Sequence, residues 1–104
     1  MTPTLLLLAV LASDPPPSRA EVCHAHVSMM IEEALAENGR VAGPSWFIRD
    51  WWDERRTDAE RETVRERHVS VGLRALKAAD PEVWEEQRSS CIDEAINGGA
   101  VPGL

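Results

Sequence analysis

Cys23 and Cys91 are the only cysteines in the chain, and they stand near the two ends of the part that reads as folded. If they are joined, nearly everything between them becomes one closed loop. The ends of that loop must then lie side by side. Closing a loop of roughly 70 residues removes enough freedom from the unfolded chain to stabilise a domain by ~4 kcal/mol. That is comparable to the whole stability of a domain this small, which buries too modest a surface to be generous with its core. Whether the thiols pair depends on the compartment, and the N-terminus speaks to that.

Residues 5–12 read LLLLAVLA and are followed by SDPPPSRA. Eight apolar residues are too few for a membrane span, which takes about 20. They match the apolar region of a secretory signal peptide, although the preceding MTPT carries no Lys or Arg. Small residues permit processing after Ala20, or alternatively after Ala12. The first is preferred because the polar DPPPSR stretch separates the apolar run from the helical pattern. The expected organisation is a signal peptide over 1–20, one helical domain over 21–97 and a loose tail over 98–104. No membrane span is expected after processing, so the protein should be exported, to a periplasmic or extracellular space. An oxidising compartment favours a Cys23–Cys91 disulfide.

A metal site is the competing use of the same thiols. Cys23, His24 and His26 are close in sequence, and a four-ligand site could recruit His68 and Cys91. The spacing follows no recognisable zinc module, and CHAH lacks the order of covalent haem attachment. No cofactor is implied.

Alternating β-branched runs are missing, and helix-forming Ala, Glu, Arg and Leu dominate. The pattern predicts an all-α bundle of four helices, three longer and one short. The first spans about 21–37, with a stripe of Cys23, Val27, Met30 and Ala34 widened by Ile31 and Leu35, and stops at Asn38-Gly39. The second spans about 46–55 after an N-cap at Ser45. Thr57 and Glu60 form a capping box for the third, which runs to about Ala79 with Val64, His68, Val71 and Ala75 inward. This placement predicts at least partial burial for His68. Asp80-Pro81 opens the fourth, which carries Trp84, Arg88, Cys91 and Ala95 along one side.

The short helix carries SWFIRDWWDERR (45–56), which holds three of the four tryptophans and the only phenylalanine. Phe47 and Trp51 are four apart, as are Ile48 and Trp52, so the four make one broad face. Phe47, Ile48 and Trp51 are expected in the core. Trp46 and Trp52 are expected at its margins, where with Arg49 they would form a binding surface, since Trp and Arg are enriched at interface hot spots.

A net charge of −7 argues against nucleic acid, because phosphate backbones are repelled. No Ser-His-Asp order, phosphate loop or HExxH motif is present. Adjacent carboxylates at Glu32-Glu33 and Glu85-Glu86 diverge by about 100° on a helix and do not share a site. The sequence therefore points away from an enzyme and towards a small exported protein that binds another protein. A periplasmic metal-handling protein using the Cys and His residues is the alternative.

Overall fold

The structure, a computed structural model, describes residues 15–104. The apolar run at 5–12, and with it most of the expected signal peptide, lies outside the described residues. The described part is all-helical: α1 (Arg19–Asn38), α2 (Gly43–Asp53), a 3₁₀ turn (Ala59–Arg61), α3 (Thr63–Ala79) and α4 (Pro81–Asn97).

The helix α1 starts two residues earlier than its apolar pattern suggests. Ser18 caps it with a complete capping box: its hydroxyl accepts from the Glu21 N–H, and the Glu21 carboxylate accepts from the Ser18 N–H. Gly39 ends it in the left-handed conformation at φ 70°, its N–H bonded to the Leu35 carbonyl. α2 begins at Gly43-Pro44 rather than after Ser45, because proline fits the first turn, where its missing N–H is not needed. Asp80 and Pro81 open α4 as the sequence indicates, with the Asp80 carboxylate accepting from the Val83 N–H.

α1 is the central element and packs against each of the other three helices. On one side Cys23, Val27 and Ile31 meet Ile48 and Trp52 of α2 and Cys91 and Ala95 of α4. On the other side Ala25 and Met29 meet Val69 and Leu73 of α3, with Val22 and Leu76 packed alongside. The Cys23–Cys91 disulfide closes the first cluster, with the two Cα atoms 5.2 Å apart and neither residue exposed.

Three expected faces are corrected. α2 is rotated so that Ile48 and Trp52 point inward, with Trp52 only 2% exposed, while Phe47 is 48% exposed and Trp51 is half-buried. The polar tip of Trp52 decides this, because a buried indole N–H needs an acceptor. It finds the Cys91 carbonyl at 3.0 Å. Trp51 instead lies edge-on to Trp52 and over Gly98, where a Cβ would collide with its ring.

In α3 the inward residues are Val69 and Leu73, whereas Val64, Val71 and His68 face solvent, Val64 at 80% exposure. An ion pair fixes this rotation. Arg65 donates from Nε and Nη2 to the carboxylate of buried Glu21, at 2.7 and 2.9 Å. Arg65, Val69 and Leu73 follow one another at helical spacing on that same face. The capping box at Thr57 and Glu60 is present, but it opens only the 3₁₀ turn, because Glu62 is extended (ψ 138°) before α3 starts.

The third correction concerns the tail. Val101 is buried and belongs to the core cluster of α1, α2 and α4, and the Ala100 N–H bonds to the Ala95 carbonyl. The folded unit therefore extends past Asn97.

Trp52→Ala is expected to cost about 3–5 kcal/mol, the loss typical of a buried aromatic. Phe47→Ala should cost about 0.5 kcal/mol or less, as for a surface change. Urea melts of the two variants measure the difference, and equal losses would contradict the orientation of α2. Reducing the disulfide should lower stability by ~4 kcal/mol on the same assay.

Candidate functional site

Between α1 and α2, closed at one end by the start of α3, lies a cleft of about 410 Å³. α1 supplies His24, Ser28, Ile31, Glu32 and Leu35, successive positions along one side of the helix. Trp46, Arg49, Asp50 and Asp53 of α2 face them, and Arg56 and Glu66 close the end.

The closed end is held by charge. Arg56 is buried, donating to Asp53 Oδ1 from Nη2 at 2.6 Å and to Glu66 Oε2 from Nη1 at 2.7 Å. Arg61 reaches the same Asp53 oxygen at 3.3 Å and the Asp53 carbonyl at 2.6 Å. These arginines, Arg56 first, hold the Asp53 carboxyl below the usual carboxylate range. The cluster ties the C-terminal end of α2 to the first turn of α3 and so fixes the width of the cleft.

His24 sits against this cluster and is 8% exposed. Burial, reinforced by the Arg56 charge, pushes its pKa down from 6.5 to about 4, so the ring is neutral near pH 7. Its Nε2 lies 3.9 Å from Asp53 Oδ1, too far for a hydrogen bond. Its Nδ1 and the Ser28 hydroxyl are buried with no hydrogen-bond partner among the described residues. An unmet buried polar atom costs roughly 1–3 kcal/mol; two of the four such atoms among the described residues stand at this cleft, and the other two, His26 Nδ1 and Trp84 Nε1, lie between α1 and α4.

The open end is apolar and aromatic. Trp46 and Leu35 are exposed there, and the Arg49 guanidinium lies 4.9 Å from the centroid of the Trp46 ring. Of the three residues expected to form a binding surface, Trp46 and Arg49 come together at the cleft. Trp52 does not, since its indole is committed to the core and to the Cys91 carbonyl.

The five residues of the metal alternative are not brought together. Cys23 and Cys91 are spent on the disulfide. His24 faces the cleft, while His26 is fully buried on the α4 side, with Nε2 2.7 Å from the Gln87 side-chain oxygen and its ring 5.4 Å from that of Trp84. His68 is exposed on α3. No cluster of three or more His, Cys, Asp or Glu side chains able to hold a metal occurs among the described residues.

Sequence reasoning missed Ser28, Asp53 and Arg56. The Asp53–Arg56 spacing is an ordinary helix-surface pair, and nothing local marks its burial. Comparison with protein-family models, curated proteins and solved structures gives no match.

Acid should destabilise the fold through its buried histidines, His24 at this site among them. Below pH 6.5 the unfolded chain protonates His24, whereas the folded chain resists until about pH 4. His26 is shifted in the same direction by burial. Stability is therefore complete above pH 6.5 and falls as the pH is lowered towards 4. Further loss follows as Asp53 and Glu21, whose folded pKa values are depressed mainly by hydrogen bonds from Arg56 and Arg65, become protonated. From pH 7 to 5 the His24 contribution is roughly 1–2 kcal/mol. Denaturant melts at the two pH values measure it, and His24→Gln should flatten the slope.

Proposed function

We propose that this chain is a small exported protein, stapled by one disulfide, that acts by binding another protein through the α1–α2 cleft. One observation carries the reading. Exposed Trp46 and Leu35 flank a cleft whose interior holds two buried polar atoms without partners. A rigid indole beside an arginine is the pairing that dominates interface energetics. Surface tryptophans are otherwise costly to leave in water, and Trp46 sits where a partner's side chain would cover it.

Export is supported by the apolar run at 5–12 and by the buried Cys23–Cys91 bond, which suits an oxidising periplasmic or extracellular compartment. No described helix is long and apolar enough to cross a membrane. The packing at the start of α1 supports the alternative processing site, after Ala12. Ser18 caps α1, Arg19 pairs with Glu94 at 2.8 Å, and Ala20 is buried in the core. Ahead of them, the Pro15 and Pro16 carbonyls accept from Arg65 at 3.2 and 3.4 Å. Processing after Ala20 would discard all of these contacts, and processing after Ala12 keeps them.

Two measurements test the proposal. The mature protein should begin at Ser13; an N-terminus at Met1 would refute export, and one at Glu21 would refute processing after Ala12. A photo-leucine at position 35, with Trp46 intact, should capture one protein from the native host's envelope fraction, and the same probe in Trp46→Ala should lose it with an unchanged melt. Retention of that protein by Trp46→Ala would leave the cleft without a binding role.

A further inference from the structure

Apart from two arginines already engaged and the Trp46 indole N–H, every polar side chain lining the cleft is a hydrogen-bond acceptor or can serve as one. Glu32 and Asp50 are exposed at its open end and have no ion-pair partner among the described residues. Asp53 and Glu66 lie deeper, shared with Arg56. The lining therefore carries four carboxylates against two guanidinium groups, and one of those, Arg56, is neutralised in place.

His24 makes a second and independent observation. The ring is buried, and its Nδ1 has no hydrogen-bond partner among the described residues. Trp46 adds a third. Its exposed ring already carries the Arg49 guanidinium at 4.9 Å, so the face is placed to hold a cation.

Resting on the protein-binding reading above, we infer that the cleft's occupant is a basic side chain, an arginine or lysine presented by the partner protein. Its charged head meets Glu32 and Asp50, and its aliphatic stem packs on Trp46 and Leu35. As it enters, its stem displaces Arg49 from the Trp46 ring while its head supplies the charge that Glu32 and Asp50 lack. The net charge of −7 favours encounter with a basic partner. The outer face of α4, with Glu82, Glu86 and Asp93 exposed, extends the same sign of field.

The test uses the processed protein and short blocked peptides, followed by ¹⁵N–¹H spectra. The probes are acetyl-Leu-Arg-Leu-amide, the same peptide with citrulline in place of arginine, and agmatine. The arginine peptide should shift the Trp46 indole and the Ser28 and Asp50 amides. Citrulline, isosteric but uncharged, should not. Agmatine should bind more weakly than the arginine peptide, since it lacks the flanking side chains. The double variant Glu32→Gln/Asp50→Asn changes only exposed carboxylates, and it should weaken the peptide roughly tenfold with an unchanged melt.

Equal binding of citrulline would overturn the inference, and so would shifts confined to α4 or undiminished affinity in the double variant. Agmatine binding as tightly as the peptide would overturn a protein-borne occupant. If the arginine peptide fails while Trp46→Ala still loses its crosslinked partner, the basic occupant falls and the protein-binding reading stands. If Trp46→Ala keeps the partner, that reading falls by itself.

Discussion

The bond between Cys23 and Cys91 acts on the N-terminal half of α1, which has almost no solvent face of its own. From Ala20 to Val27 every residue of α1 is buried except half-buried Val22. The other helices are arranged around that segment, and the disulfide pins one of them, α4, at its midpoint. Trp52 then reads the position of the pin, because its indole bonds to the Cys91 carbonyl. One covalent link and one hydrogen bond thus set α4 on α1 and α2 on α4. The cleft between α1 and α2 is a by-product of that setting, its width fixed by the Asp53–Arg56–Glu66 cluster.

Two partly buried ion pairs do for α3 what the disulfide does for α4. Glu21 with Arg65 holds its start against α1, and Arg56 with Glu66 holds it against the end of α2. Such pairs contribute less to stability than their geometry suggests, since desolvation offsets much of the attraction. Their role here is orientation. They select the Arg65–Val69–Leu73 face over the equally periodic Val64–His68–Val71 face. An apolar stripe alone would leave that choice open.

The difference between those faces explains what the sequence could tell. Helix count and order, the stops at Gly39 and Asn97 and the cap at Asp80 are local and were legible; the Cys23–Cys91 pairing, 68 residues apart, was legible because the chain has only two cysteines. Rotation was not. In α2, Phe47–Trp51 and Ile48–Trp52 are equivalent stripes until a buried carbonyl on another helix claims one indole. In α3, the decisive partner of Arg65 lies in the first turn of α1, 44 residues away. The site suffered in proportion. Trp46 and Arg49 lie on one short helix and could be found, while Asp53, Arg56 and Ser28 gain meaning only from tertiary burial. His24 was visible as a candidate ligand, yet its neighbours on the page of the sequence, Cys23 and His26, point to other sides of α1.

The central placement of α1 also orders events during synthesis. A chain emerges N-terminus first, and here the first helix made is the one that needs all the later ones. Its two apolar flanks wait for partners from α2, α3 and α4, and Cys23 waits for Cys91, 68 residues behind it. Most helical stability comes from packing an apolar face, and the flanks of α1 are covered only when the later helices are present. The segment exposed longest during synthesis is thus the one that ends most deeply covered.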